Sequence, residues 1–232
     1  MFSLSLRTES ISKSYARGLL FKTHKKILDG VSLEVKKGET LVIMGESGAG
    51  KTSLGKIIAG LEKPTKGAVL YAGKSLPQMD SLEHKIFRSR VQMVFQNPEA
   101  SLNPRKTIET SLKQVLKLTG MPAGKREEVL FDTLETVGLH EDVLHRYPNQ
   151  LSGGQNQRVV LARVLFLDPD FIILDEPTSA LDISVQAQIL HLLKRLQQEK
   201  KMGYVFISHD RAVAEFVSDR IGILENGRLN FS

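Results

Sequence analysis

The sequence predicts an α/β domain with a buried, mostly parallel sheet and a helical segment inserted into it. Three short runs of apolar and aromatic residues (41–44, 171–174 and 204–207) are typical of strands that are covered on both faces. Between the first two runs, residues 97–158 are predicted to form a mainly helical insert. A chain of 232 residues suits one domain, residues 1–232, with the helical stretch as a subdomain.

The N-terminal region, residues 2–38, is predicted to be β-structure. Apolar residues alternate with polar ones at residues 4–8 and again at residues 31–35. A polar loop over residues 16–26 separates the two stretches, and Tyr15 lies in this connecting region. An aromatic side chain here stacks on a purine base or covers a sheet edge, and the pattern leaves both interpretations open.

A glycine-rich turn follows the first buried strand and precedes a helical pattern. Its spacing, G-x-x-x-x-G-K-[ST], is that of the phosphate-binding P-loop. Glycines let successive backbone N–H groups point at phosphate oxygens, and the helix start adds the positive end of its dipole. Lys51 can reach the β- and γ-phosphates, and the hydroxyl of Thr52 can hold Mg²⁺. The predicted nucleotide-binding residues of this stretch are Gly45, Glu46, Ser47, Gly48, Ala49, Gly50, Lys51, Thr52 and Ser53.

A hairpin, a strand and two helices are predicted next. Residues 65–76 indicate a short hairpin, and residues 91–95 indicate a strand that leads into Gln96. Apolar residues then recur at helical spacing over residues 107–119 and 125–138. Towards the C-terminus, a further helix and a final hairpin are predicted at residues 184–200 and 220–232.

A second turn with the features of an anion site is formed by Ser152, Gly153, Gly154 and Gln155. The two glycines stand just before a strong helix pattern that begins at Gln157. Backbone N–H groups at the start of a helix bind anions, as they do in a P-loop. Because one nucleotide needs one such turn, the second turn requires an explanation.

Acidic and imidazole side chains follow two of the buried strands. Asp175 and Glu176 end the second apolar run, and His209 follows the third. The carboxyl ends of parallel strands are where α/β folds place their chemistry. Asp175 is therefore predicted to face Mg²⁺, Glu176 to act as the base that polarises an attacking water, and His209 to donate a hydrogen bond to a γ-phosphate. An acidic strand cap and a structural histidine are the alternatives.

Composition limits the remaining function classes. The net charge of +6 is spread over short basic groups, which a solvated surface and a polyphosphate ligand explain, so no nucleic-acid partner is expected. The six histidines show no metal-ligand spacing. No apolar run reaches 18 residues, the start lacks a secretory pattern, and there is no cysteine. We therefore expect a cytosolic protein without disulfides.

Together these stretches resemble the ATP-binding subunit of ABC transporters, over nearly the whole chain. The most specific element is the sequence Leu-Ser-Gly-Gly-Gln at residues 151–155, the ABC signature, placed between a P-loop and residues 171–176. Gln96, residues 179–182 and His209 match the Q-loop, the D-loop and the switch histidine of that family.

This resemblance implies a P-loop NTPase core of the RecA type, with an N-terminal antiparallel β-subdomain and an inserted helical subdomain. It implies a head-to-tail dimer in which each ATP lies between the P-loop of one subunit and residues 152–155 of the other. That arrangement explains the second anion turn. Tyr15 then matches the aromatic residue that stacks on adenine, and Gln96 is implied to contact Mg²⁺ and to sense transmembrane subunits. Closure on ATP and reopening after hydrolysis are implied to drive transport.

Within the family, residues 96–107 resemble the subfamily that imports peptides, nickel and metal-chelating opines. Residues 18–21 and 25–26 are similar to its nickel-type members. The chain ends soon after its last predicted hairpin, so we expect it to be the short member of a two-ATPase pair. Asn156 stands where the family more often has Arg, Lys or Leu.

The resemblance thus predicts an ATP-hydrolysing subunit of an importer for nickel, a metal chelate or short peptides, with an oligopeptide or dipeptide importer as the specific alternative. The implied partners are a second ATPase subunit, expected to be a different chain, two transmembrane permeases and an extracytoplasmic solute-binding protein. The expected location is the cytoplasmic face of the cell membrane. A soluble ATPase of translation or chromosomes, and an exporter or regulatory ATPase, are the competing classes.

Overall fold

The computed structural model describes residues 4–17 and 23–231, and residues 18–22 of the predicted polar loop lie outside the described residues. The residues that suggested a nickel-type member, 18–21, lie in the same undescribed stretch. Two compact units are present. The first falls within Met1–Met93, Asp170–Glu176 and Leu196–Ser232, and the second within Val94–Pro169 and Pro177–Arg195.

The described chain contains ten strands and seven α-helices, most of them at the predicted places. The strands are β1 (Ser5–Arg17), β2 (Thr23–Lys36), β3 (Thr40–Met44), β4 (Lys66–Tyr71), β5 (Lys74–Ser75), β6 (Val91–Val94), β7 (Phe171–Asp175), β8 (Gly203–Ile207), β9 (Arg220–Glu225) and β10 (Arg228–Phe231). The helices are α1 (Lys51–Ile58), α2 (Ser81–Arg90), α3 (Ile108–Leu118), α4 (Arg126–Thr136), α5 (Gly153–Leu165), α6 (Ile183–Lys200) and α7 (Arg211–Val217).

Two sheets organise the strands. An antiparallel sheet has the order β2-β1-β4-β5, and a six-stranded sheet has the order β10-β9-β3-β8-β7-β6. In the larger sheet β8 pairs in parallel with both β3 and β7, and Ile207 lies in register with Ile43 on one side and with Asp175 on the other. The carboxyl ends of three neighbouring parallel strands are therefore level, as the predicted α/β class requires.

The core of the first unit is built from the apolar runs that the sequence marked as strands. Every residue of β7 and β8 is buried, and so are Leu41, Val42 and Ile43 of β3. Helix α1 adds fully buried side chains at Leu54 and Ile57 to the same cluster. Burial of such side chains stabilises by about 1.5–3 kcal/mol each, so this core holds the strand ends rigidly in place.

The second unit contains α3, α4, α5 and the first part of α6. Leu112, Leu116, Leu130 and Leu134 are almost completely buried and give these helices a common apolar core. Arginines satisfy the carbonyl groups that end α4, because Nη1 of Arg158 donates to the Val137 oxygen at 2.6 Å and Nη2 of Arg195 to the Thr136 oxygen at 2.6 Å. Cations at a helix C-terminus also oppose its negative dipole end.

Several features differ from the sequence prediction. Helix α5 begins at Gly153, so the two glycines lie in its first turn and not before it, and β1 and β2 extend into the predicted loop at residues 16–26. Helices α2 and α7 were not predicted, although each begins at an aspartate that caps it: Asp80 accepts from the backbone of Leu82 and Glu83, and Asp210 from Ala212 and Val213. Short helices give weak periodicity, so the caps were the usable signal. Tyr15 lies within β1, opposite Lys25, and not in the connection after it. None of the described helices is both long and apolar enough to cross a bilayer.

Candidate functional site

The phosphate loop, residues 45–52, connects β3 to α1. Gly50 stands at the helix start with φ of +102°, and a β-carbon there would lie 2.6 Å from Cγ2 of Ile27, so glycine is required. No side chain caps α1, and its first-turn N–H groups therefore face outward for an anion. Lys51 is 5% exposed, and its Nζ donates to the carbonyls of Gly45 (2.7 Å) and Glu46 (2.8 Å).

Thr52 and Asp175 meet at the end of the phosphate loop. Oγ1 of Thr52 donates to Oδ1 of Asp175 at 3.2 Å, and burial raises the pKa of the Asp175 carboxyl, with the Thr52 hydrogen bond opposing the shift. A hydroxyl and a carboxylate are the oxygen ligands that Mg²⁺ prefers, so the pair fits this ion. The described residues contain no group of three or more His, Cys, Asp or Glu able to hold a metal.

Glu176 and His209 form a second pair beside the first. Nδ1 of His209 lies 3.1 Å from Oε1 of Glu176; the glutamate side chain is 17% exposed and the imidazole 61% exposed. The backbone of Glu176 adopts φ of +46°, and its N–H donates to the Ile207 carbonyl at 3.0 Å. A non-glycine residue in the left-handed region is uncommon, and a tertiary contact is needed to hold it there.

Tyr15 is brought to the start of α1 by the antiparallel sheet. Its hydroxyl lies 3.1 Å from Oγ of Ser53 and donates to Oε1 of Glu62 at 2.5 Å. Burial, followed by the hydrogen bond to Glu62, raises the pKa of the phenol. Nζ of Lys13 lies 5.1 Å from the ring centroid, so a cation covers part of the ring while 39% of the residue remains exposed. The stacking role stays a prediction, but the residue does lie beside the phosphate loop.

A cleft of about 680 Å³ borders the phosphate loop in the first unit. Residues 45–49 form one wall, residues 25–27 a second, and the turn at residues 223–227 a third. Lys25 and Lys26 therefore add positive charge beside the loop. The sequence did not place these lysines or the 223–227 turn beside the phosphate loop, because their proximity depends on the pairing of β9 with β3.

The remaining predicted site residues lie in the second unit. Nε2 of Gln96 donates to Oγ of Ser179 at 3.3 Å, which joins the loop after β6 to the loop after residue 176. Ser152 and Gln155 form a reciprocal capping box at the start of α5: Oγ of Ser152 accepts from the Gln155 N–H at 3.2 Å, and Oε1 of Gln155 accepts from the Ser152 N–H at 3.0 Å. The Ser152 hydroxyl still has a proton to donate to an anion.

The two glycines of this turn have a packing role as well. A β-carbon on Gly154 would lie 2.4 Å from Cγ1 of Val185, and one on Gly153 would lie 3.0 Å from Cδ2 of Leu181. Glycine therefore lets the first turn of α5 approach α6 and the loop before it. This close approach is independent of any anion and could not be read from the motif.

Asn156, the unusual residue after the signature, is completely buried. Its Nδ2 donates to the Pro148 carbonyl at 2.9 Å and to Oε1 of Glu99 at 3.3 Å. Asn156 thus ties the first turn of α5 to the segment that follows Gln96. The sequence marked Asn156 only as a departure and did not single out Glu99, since the two are 57 positions apart.

Comparisons with known proteins agree with this geometry. Residues 28–179 match the family model described as ABC transporter. The chain is 46% identical over 214 residues to the dipeptide transport ATP-binding protein DppF of Haemophilus influenzae, and 44% identical over 206 residues to the putative oligopeptide transport ATP-binding protein YkfD of Bacillus subtilis. These matches cover 91% and 88% of this chain, and the chain spans just under two thirds of the relatives, 65% and 63%.

A solved structure shows the same fold. The dimeric post-hydrolysis state of the ATP-binding cassette MJ0796, bound to ADP and Pi, aligns with a TM-score of 0.85 and 33% identity, covering 98% of this chain and 97% of that one. The chain belongs to the ABC transporter family, and its fold is that of an ABC ATPase cassette. The predicted fold class and the resemblance to ATP-binding subunits of ABC transporters are confirmed.

Proposed function

We propose that this chain binds and hydrolyses ATP as the energising subunit of an importer for short peptides. One observation carries the proposal: three level strand ends bring Lys51, the Thr52–Asp175 pair and the Glu176–His209 pair to one edge of the first unit. This is the set of side chains that phosphoryl transfer to water requires, namely a phosphate clamp, a metal-compatible oxygen pair and a base.

The phosphate loop would hold the triphosphate. Lys51 is fixed by two loop carbonyls, so its ammonium is already oriented towards the loop interior and exchanges those contacts for phosphate oxygens on binding. Residues 45–53 add backbone N–H groups from the turn and the start of α1. Thr52 and Asp175 are the residues we assign to Mg²⁺, which when bound would neutralise charge on the phosphate oxygens.

Glu176 is proposed as the base for the attacking water. Its carboxylate would accept a proton from that water as the oxygen attacks the γ-phosphorus and the bond to the β-phosphate oxygen breaks. His209 would act as an imidazolium: its Nδ1–H, 3.1 Å from Glu176, would orient the carboxylate, and its Nε2–H would donate to a γ-phosphate oxygen. The Glu176 side chain is only 17% exposed, which supports this role, because bulk water then competes less with the attacking water for the carboxylate.

The second unit would serve the ATP of a partner ATPase. In a head-to-tail dimer, we expect the partner's γ-phosphate to meet Ser152, Gly153, Gly154 and Gln155. In the first unit, Tyr15 is proposed to stack on adenine. We expect the partner to be a different chain, with two permeases and an extracytoplasmic solute-binding protein completing the complex at the cytoplasmic face of the membrane. Relatives named for dipeptide and oligopeptide transport favour peptides over nickel or metal chelates.

Two measurements test the proposal. Phosphate release from ATP by the chain together with its co-purified partner ATPase, with and without Mg²⁺, tests the chemistry, and a complex that releases no phosphate with Mg²⁺ would contradict it. A pull-down of the tagged chain from detergent-solubilised membranes, with mass identification, tests the assembly. We expect two permeases and a second ATPase, and the associated binding protein is then titrated with di- and tripeptides, nickel and nickel chelates. Ribosomes, DNA or a purely soluble complex would contradict the transport assignment.

A further inference from the structure

A second cleft, of about 510 Å³, lies wholly within the second unit. It is lined by residues 96–99, by Gly153 and Gln157 of α5, and by Pro177, Ala180 and Leu181. Three segments that the family resemblance treats as separate motifs therefore share one cavity. The cleft is distinct from the phosphate loop, which belongs to the first unit.

Gln157 is the unexplained residue of this cleft. It is 1% exposed, and among the described residues neither its Oε1 nor its Nε2 has a hydrogen-bond partner. A buried amide without partners costs about 1–3 kcal/mol for each unsatisfied group, so native proteins seldom leave one in place without a reason. In its neighbour Asn156 only the Oδ1 lacks a partner within the described chain, because the Nδ2 bonds directly to Glu99 and to the Pro148 carbonyl.

The surroundings suit ordered water. A polar site needs only one probe-sized volume and two to four polar partners to hold a water molecule, and this cleft is many times larger. Gln96, Asn97 and Glu99 are polar residues of the lining, and Pro177, Ala180 and Leu181 line the cleft from another segment. An amide that both donates and accepts can connect such groups through water at little cost in enthalpy.

We propose that Gln157 is a positioning residue that holds the Gln96 loop (residues 96–99) and the loop at residues 177–182 in register with the signature turn through water in this cleft. Gln157 touches neither nucleotide nor metal in this scheme. It acts on Gln96 and on Ser179, which are already bonded to each other at 3.3 Å. The catalytic part of the inference rests on the proposed ATPase function, while the structural part does not.

Backbone hydrogen exchange of the purified chain tests the structural part. The variant Gln157→Met keeps the length of the side chain and removes both polar atoms. We expect exchange to rise about 3- to 10-fold in residues 97–101 and 178–182, and to stay unchanged elsewhere, because loss of a bridging hydrogen bond loosens only the segments it joins. Gln198→Met, an exposed glutamine on α6, is the matched control and should leave every peptide unchanged.

Stability and kinetics separate positioning from simple packing. Loss of water-mediated bonds that join only two loops should lower the melting temperature of Gln157→Met by no more than about 2–4 °C. At the same time kcat for ATP should fall about 10- to 100-fold with KM nearly unchanged, because misplaced groups impair the transition state more than ground-state binding. Unchanged exchange in both loops, or a uniform rise over the whole chain, would overturn the inference.

The two proposals fail in different ways. If the wild-type chain with its partner ATPase shows no ATP turnover, the proposed function falls, and the exchange result still decides the role of Gln157. If Gln157→Met does not fold, Gln157→Asn takes its place: it keeps an amide but withdraws it by one methylene, and the same exchange outcomes apply.

Discussion

The substitution Glu176→Gln tests the proposed base most directly. Glutamine has the shape of glutamate, and its amide oxygen can still accept from His209 at the present 3.1 Å. Its backbone requirements are also met, because the φ of +46° is held by the bond from the N–H of residue 176 to the Ile207 carbonyl. The change therefore removes a proton acceptor and little else.

The expected magnitude follows from that chemistry. A positioned general base contributes about 100- to 10,000-fold, which corresponds to about 2.7–5.4 kcal/mol of transition-state free energy. The pair with His209 is only partly buried, so its effect on the free energy of unfolding should stay within about 1 kcal/mol. The Kd for ATP should change by no more than about threefold, since the phosphate loop is untouched.

Single-turnover phosphate release and an ATP-binding titration measure the two quantities separately. We expect ATP binding to persist and, in the presence of a partner ATPase, a closed dimer to accumulate on size exclusion. Glu215→Gln is the control, because that side chain is 59% exposed on α7 and its carboxylate is bonded to Arg211 at 2.8 Å. Wild-type turnover in Glu176→Gln would refute the assignment of the base.

Three further changes are informative. Lys51→Ala should raise the Kd for ATP by more than about 10-fold on calorimetry, because a charge-assisted phosphate contact is lost. Gly50→Ala should lower the free energy of unfolding by about 1–3 kcal/mol in urea, since its β-carbon would lie 2.6 Å from Ile27 at a φ of +102°. Asp175→Asn should raise the melting temperature of the Mg²⁺-free chain more at pH 7 than at pH 3. Burial raises the pKa of this carboxyl, so the folded state binds protons more tightly than the unfolded state and loses stability as pH rises through that pKa.

Each of these has a contradicting outcome. An unchanged Kd in Lys51→Ala would remove that residue from the phosphate site. Wild-type stability in Gly50→Ala would show that the start of α1 tolerates a side chain. If Asp175→Asn raises the melting temperature equally at both pH values, the gain does not come from removing a buried negative charge.

Local patterns predicted most of the elements, because they depend on residues close in the chain. Apolar runs identify β3, β7 and β8 since a strand covered on both faces has no polar positions. Periodicity likewise identifies α3 and α4. It fails for α2 and α7, whose ten and seven residues are too short for a clear period, and there only the capping aspartates carry the signal.

The sequence by itself determined which chemical groups this protein has: a phosphate loop with Lys51 and Thr52, and acidic residues at the end of an apolar run. Only the tertiary structure decided which of them meet. Asp175 reaches Thr52 across 123 positions, and Asn156 reaches Glu99 across 57, because strand order and helix packing bring them together. The unpaired amide of Gln157 was likewise invisible in the sequence, since whether a buried polar group has a partner depends on every segment that packs around it.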